Sequence, residues 1–339
     1  MVPEFFNNLS QYGRNRLILS CATALLLTGI GIALGGNALL TITLLGIAAM
    51  TPIGLAAIGE IINQRGGLVN IGIEGIIVIA GLTSIWSAEY LGSPYLALLA
   101  GMATGAVLSF IFGIIATYGR GSQIIAGLGM NLLGLGVVSF GLVQIWGTPG
   151  FHMLGDDSLR PHRMFTPWGP ISWLYFLTFI VAVLAWFMLA WTRFGMHVQA
   201  SGNNPFVTDA NGIDVYKVRI KACVMGGALS GLAGGFLAVD YLGGVTKDVS
   251  QGRGFMALAC IVFSALDIPL ALGIAFVFGL TEAIALWVQN AAWAKDFVVL
   301  GGNSFLLMIP YLSVILALAL FPGFERLSKM IGENYWRGQ

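Results

Sequence analysis

Apolar runs dominate the chain, and their lengths carry the first inference. A helix that crosses a bilayer needs about 20 mostly apolar residues. Runs of that kind fall near 16–35, 38–61, 68–88, 93–117, 122–147, 171–191, 218–238, 268–288 and 304–321. Another, 254–265, is too short to cross alone as a straight helix. It is either a broken helix or continuous with its neighbour around Asp267-Ile268-Pro269. The pattern predicts an all-α polytopic membrane protein of about ten transmembrane helices forming one domain over 1–339. Residues 16–35 are an extra N-terminal span and 322–339 a tail. The pattern changes over 192–217, where residues 200–213 concentrate Asn, Gly, Pro and Asp. A chain with few polar residues that gathers them in one loop has a docking site for something in water.

Composition narrows the classes. The chain is 57% hydrophobic and 9% charged, with a mean hydropathy of +0.87, which excludes a soluble globular domain. A net charge of +1 argues against nucleic acid, which calls for a basic patch. Cys21, Cys223 and Cys260 all lie in apolar runs, as small buried hydrophobes rather than a disulfide framework or metal site. Pro3, Glu4 and Asn7 precede the first run and no small-residue cleavage site follows it, so that run is expected to remain as an anchor.

Lys and Arg set the orientation. With both termini cytoplasmic, Arg14, Arg16, Arg65, Arg120, Arg193, Lys217, Arg219, Lys221, Arg326, Lys329 and Arg337 lie inside. Arg160, Arg163, Lys247, Arg253 and Lys295 lie outside, a split of eleven to five. Trp86, Trp146, Trp168, Trp173, Trp287 and Trp293 gather near the outer interface in this arrangement, where amphipathic rings settle. A faint repeat relates the two halves. Leu55-Ala56-Ala57 leads through a loop to Gly72-Ile73-Glu74-Gly75, and Leu232-Ala233-Gly234-Gly235 leads through a loop to Gly252-Arg253-Gly254. The first loop is predicted inside and the second outside. That predicts an inverted repeat of spans 2–5 and 7–10 with a site between them near the midplane, against chance similarity among Gly/Ala/Leu-rich helices.

Four carboxylates, Glu60, Glu74, Asp240 and Glu282, lie in or at the edges of spans. A charge at a helix centre costs about 2.5–3.5 kcal/mol on insertion scales and belongs beside a cavity or a partner. Glu60 and Asp240 fall near predicted ends, where water can reach them. Glu74 follows Arg65-Gly66-Gly67-Leu68-Val69-Asn70-Ile71-Gly72, a Gly-interrupted helix start. Such a start turns backbone N–H groups and a positive dipole end toward a cavity. Glu74 therefore either caps neighbouring backbone or lines a pathway. Asn131, mid-span, either bridges helices or touches solute. The Gly- and Ala-rich stretch 226–235 is a close-packing face. His152, His162 and His197 have no ligand spacing, no Gly-x-x-x-x-Gly-Lys-Ser/Thr loop is present, and no Ser/His/Asp triad is discernible. The chain itself therefore carries no site for hydrolysing ATP.

Two stretches carry a resemblance. Arg65–Gly75, reading RGGLVNIGIEG, resembles the motif of ABC-importer permeases for ribose-type sugars, nucleosides and branched-chain amino acids. The segment 200–213, opening Gly202-Asn203-Asn204-Pro205 and closing Ala210-Asn211-Gly212-Ile213, resembles their cytoplasmic coupling segment. The likeness covers roughly 45–320, and the wording at 69–75 is closest to the nucleoside (simple-sugar-like) branch. It implies that Gly202, Asn203, Asn204, Pro205, Ala210 and Gly212 seat against an ATPase. It implies that Asn70, Gly72, Glu74 and Gly75, with Asn131 nearby, border the substrate pathway. Asn204 departs from the acidic residue common at its position. The implied partners are a separate ATPase holding ATP and Mg, a second permease subunit, an extracellular substrate-binding protein and the lipid bilayer. The chain itself would need no cofactor. The expected function is inward passage of a nucleoside or sugar-like solute across the cell membrane. Branched-chain amino acids or pentoses are alternative cargoes, and an ion-coupled transporter using Glu74 or Glu282 is the rival class.

Overall fold

The computed structural model describes residues 36–119, 121–167, 169–290, 308–312, 315, 332 and 335. The expected span 16–35, most of 304–321 and most of the tail 322–339 lie outside the described residues. So do Arg14, Arg16, Cys21, Arg120, Trp168, Trp293, Lys295, Arg326, Lys329 and Arg337. Within the described part the predominant element is the long apolar helix. These are α1 (Gly36–Arg65), α2 (Ile73–Leu91), α3 (Pro94–Thr117), α4 (Gln123–Trp146) and α5 (Trp173–Trp191). Two short polar helices follow, α6 (Arg193–Asn203) and α7 (Pro205–Ala210). Then come α8 (Val215–Gly235), the short α9 (Arg253–Ser264) and α10 (Ile268–Asn290). Among the described residues seven helices are long and apolar enough to span a bilayer, α8 being counted together with its extension to Leu242.

Most expected runs match these helices to within a few residues, with two informative departures. The run expected at 68–88 becomes helical only at Ile73. Residues 66–72 are irregular, with Gly67 at φ +95°. The short run stays short. Helix α9 has 12 residues, about 18 Å at 1.5 Å per residue, against about 30 Å of hydrocarbon. It does not merge with α10, because Ala265 and Leu266 take left-handed conformations, φ 48° and 67°, and turn the chain.

Burial grades the helices from centre to rim. In the most apolar stretch, 78% of α8 with its extension and 72% of α2 are buried, but only 22% of α4. On α5 the exposed residues Phe176, Phe179, Ile180, Val183, Leu184 and Phe187 recur at helical spacing on one face, as on a surface meeting lipid. The centre is built on glycine. Gly59 of α1 and Gly226 of α8 face each other so closely that a Cβ on either would overlap the other's carbonyl oxygen. Helix α3 meets α8 as closely, with Gly105 against the Gly227 carbonyl and Gly231 against that of Gly101, and Gly279 of α10 lies against the Gly46 carbonyl of α1. Small residues let backbones approach and replace the hydrophobic drive that lipid removes.

The far end of the bundle from residues 65–72 carries the loop between α4 and α5. Strand β1 (Phe151–Met153) pairs antiparallel with β4 (Gly244–Thr246), and β2 (Arg163–Thr166) pairs with β3 (Gly169–Ser172) as a hairpin. Arg163 reaches Asp240 at 2.7 Å. Glu89 accepts from the Trp146 indole and is bonded to the His152 ring, both at 2.6 Å. The expectation that Glu60 and Asp240 are wet is corrected. They are 3% and 1% exposed: Glu60 is met by Asn63, Gln64 and the Asn70 N–H, and Asp240 by Arg163 at Oδ1, its Oδ2 having no partner among the described residues.

Candidate functional site

The broken start of α2 is held from three directions. From α1, Glu60 Oε1 accepts from the Asn70 backbone N–H at 2.8 Å and from Gln64 at 3.1 Å, while Oε2 accepts from Asn63 at 2.9 Å. From α4, the Asn131 amide accepts from Gly75 N–H at 2.9 Å and donates to the Ile71 carbonyl at 3.1 Å. Asn70 closes a local turn by accepting from Gly72 N–H at 2.8 Å. An interrupted helix leaves backbone groups that lipid cannot satisfy, so side chains must do so. Gly75 is small for a reason of packing. A Cβ there would press on the Met130 carbonyl and lie 2.8 Å from the Asn131 Cα.

The third direction joins the two halves of the chain. Glu74, in the first turn of α2, extends to the N-terminus of α9. Its Oε1 accepts from Gly252 N–H at 2.7 Å, and its Oε2 from Gly254 N–H at 2.8 Å and the Ser250 hydroxyl at 3.0 Å. The N-termini of α2 and α9 thus converge on one carboxylate, which faces the positive end of the α9 dipole. Gly252 has φ +77° and Gly254 packs against Glu74 so tightly that a Cβ would lie 2.6 Å from Oε2.

This junction borders a cavity of about 1010 Å³, at the upper end of the range for small-molecule sites. Its wall includes Glu74, Gly75 and Asn131, together with Tyr241, Gln251, Arg253, Phe255, Glu282 and Tyr311. Arg253 and Glu282 form an ion pair, and the Tyr241 hydroxyl donates to Glu282 Oε1 at 3.3 Å. Of the pathway residues expected from the sequence, Glu74, Gly75 and Asn131 line the cavity. Asn70 and Gly72 stand behind it as loop supports. Arg253, Tyr241 and Gln251 were not among the candidates. The sequence signal for Arg253 was its place in Gly252-Arg253-Gly254, the stretch that the sequence sets beside Gly72–Gly75. Among the described residues no His, Cys, Asp and Glu group could hold a metal.

The polar segment forms a helix, a cap and a second helix. The Thr192 hydroxyl caps α6 by accepting from Gly195 N–H at 3.1 Å. Asn204 ends α6 and caps α7, accepting from Val207 N–H at 3.1 Å, and Pro205 occupies the first turn. Gly212 ends the segment at φ +81°, where a side chain would meet no atom within 4 Å but would suffer the backbone conformation itself. The expected coupling residues divide into two sets. Asn203, Asn204, Ala210 and Gly212 are exposed. Gly202 and Pro205 are buried, so an external partner would not meet them directly. Gly202 lies against the Arg65 carbonyl and Gly67, and the Ser201 hydroxyl donates to the Gly66 carbonyl at 3.2 Å. Helix α6 therefore rests on the loop that leads to Asn70 and Glu74. Exposed Phe206 and Val207 add an apolar patch that composition alone did not mark.

A bundle of membrane-length helices, two helix starts meeting at a cavity, and a polar helical pair resting on one of them define a polytopic membrane permease. The chain belongs to the family described as branched-chain amino acid transport system / permease component, which matches residues 42–319. It is 32% identical over 309 residues to the guanosine ABC transporter permease protein NupQ of Bacillus subtilis, covering 85% of this chain and 94% of that one. It is 32% identical over 305 residues to the nucleoside ABC transporter permease protein NupC of Lactococcus lactis, covering 84% and 93%. The ribose import permease protein RbsC of Escherichia coli is 31% identical over 195 residues, 54% of this chain and 57% of that one. No solved structure matches the chain. The chain is a permease subunit of an ABC importer.

Proposed function

We propose that this subunit passes a nucleoside or sugar-like solute inward, with ATP and Mg handled by a separate ATPase chain. The observation that carries the coupling is the seat of α6 on the broken helix: Gly202 against Arg65 and Gly67, and Ser201 bonded to Gly66. A displacement of α6 and α7 by an ATPase docked on Asn203, Asn204, Phe206, Val207, Ala210 and Gly212 would travel eight residues along the chain, from Gly66 to Glu74, and reach the cavity wall. ATP can drive access only by favouring one arrangement over the other. The cargo follows the named relatives, and the cavity of about 1010 Å³ with aromatic and polar walls suits such a solute.

The two halves form an inverted repeat in this proposal. Support comes from exchange of contacts: Gly59 of α1 meets Gly226 of α8, α3 packs on α8 as α10 packs on α1, and the starts of α2 and α9 converge on Glu74. Ten spans would place both termini, α6 and α7 in the cytoplasm, and the β1–β4 and β2–β3 loops outside, facing a substrate-binding protein. A second permease subunit, identical or homologous, would complete the pathway. Reconstituted vesicles containing the partner chains test the coupling. Gly202→Val is expected to abolish ATP-driven uptake while the ATPase still binds and hydrolyses. Full uptake by that variant, or uptake by this chain driven by a proton gradient alone, would overturn the proposal.

A further inference from the structure

The cavity wall carries the charged side chains Glu74, Asp248, Arg253 and Glu282, and the bonding of the last two is lopsided. Arg253 begins α9 and Glu282 lies on α10, with side chains 6% and 14% exposed. Desolvating two charges costs more than their attraction returns unless the remaining polar atoms are satisfied, and inside a membrane such a pair marks a functional place. The pair is not needed to cap α9, because Glu74 already takes the Gly252 and Gly254 N–H groups. Among the described residues both protein bonds to Glu282, from Arg253 and from Tyr241, converge on Oε1. Oε2 has no partner among the described residues, and Glu282 lines the cavity.

An unoccupied carboxylate oxygen accepts hydrogen bonds and cannot donate them. A cation there would face the Arg253 charge, and an anion would face Glu282 itself. A neutral solute with hydroxyl groups meets neither penalty. Tyr241, Phe255 and Tyr311 supply aromatic surface around it, with the Arg253 guanidinium 5.6 Å from the Tyr241 ring centre. We propose that Glu282 Oε2 accepts a hydrogen bond from a sugar hydroxyl of the solute, making Glu282 a specificity-determining residue for neutral, hydroxyl-bearing cargo. This rests on the nucleoside or sugar-like reading above and assigns it a residue. Arg253 and Tyr241 are positioning residues that hold Oε1 and leave Oε2 turned to the cavity.

The test is ATP-driven uptake of guanosine against 2′,3′-dideoxyguanosine in vesicles holding the complete complex with its binding protein. The wild type is expected to prefer guanosine. Glu282→Gln, which replaces a charged acceptor by an amide, is expected to shrink that preference by about tenfold, guanosine uptake falling more than dideoxyguanosine uptake. Equal loss of both solutes with the preference intact would make Glu282 structural and overturn the proposal, as would a wild type that does not discriminate. If Glu282→Gln fails to assemble, Glu282→Asp keeps the charge and withdraws the oxygen by one methylene, and an unchanged preference in it is equally fatal. Tyr241→Phe removes one of the two bonds that hold Oε1 and is expected to shrink the preference by less than Glu282→Gln does. A wild-type complex that imports neither nucleoside nor pentose would instead sink the cargo reading itself.

Discussion

At the scale of the residue, Glu74 shows how one side chain can serve both halves of the molecule. Its two oxygens take three donors, two of them backbone N–H groups at the start of α9. A leucine there leaves those N–H groups buried and unpaired at about 1–3 kcal/mol each. Glu74→Leu is therefore expected to lose about 3 kcal/mol of stability and to yield little assembled protein, measured by size-exclusion yield and thermal unfolding. Glu74→Gln keeps one acceptor oxygen and puts an amide N–H against a donor. It is expected to assemble but transport more slowly. Normal assembly and transport by the leucine variant would remove both roles. Gly212 has the opposite character, since open space surrounds it and only φ +81° constrains it. Gly212→Asn is expected to couple nearly normally, because Asn tolerates this conformation, whereas Gly212→Val should weaken uptake per ATP hydrolysed.

Among the elements, α2 and α9 matter because they are incomplete. Each begins inside the bundle, and the groups that a longer helix would satisfy internally are met by Glu60, Asn131 and Glu74. Gly75 lets α4 come close enough for Asn131 to reach Ile71 and Gly75. Gly75→Ala is expected to push α4 outward and cost about 1–3 kcal/mol through overpacking, more than Asn131→Ala at about 1–2 kcal/mol from two unpaired backbone groups. Unfolding of the two variants in detergent, compared side by side, checks the order. If Asn131→Ala is the worse, the glycine contact is not the limiting one.

Over the whole molecule, the seat of α6 on Gly66 and Gly67 places the exposed segment about one helical turn and a loop away from the cavity wall in sequence. Residues near the other end of the chain join this seat. Gly332 N–H donates to the Gly67 carbonyl at 3.3 Å, and the Tyr335 ring lies 5.0 Å from Phe206 and 5.6 Å from Tyr216. Gly332 and Tyr335 thus lie at the same end of the bundle as α6 and α7. Topology can be checked by single cysteines: membrane-impermeant reagent on intact cells is expected to label position 157 and not 204. The reverse labelling would invert the orientation argued from Lys and Arg.

The sequence by itself determined what depends on composition over 20-residue windows. The helical membrane class, the placement of α1 to α5, α8 and α10, and the polar segment 200–213 were legible, because hydrophobicity acts locally. The motif 65–75 and the short run at 254–265 even pointed to the two interrupted helices. Tertiary structure alone decided which polar groups meet. Glu60 and Asp240 look wet by position along their helices, yet Asn70 and Arg163, reached through a loop and across the bundle, make both buried. Gly202 and Pro205 match a docking motif, yet packing turns them inward. Glu74 finds Gly252 and Gly254 some 180 residues away. No local pattern encodes that pairing, because in lipid a buried carboxylate is satisfied by whichever backbone donors the packed helices bring to it.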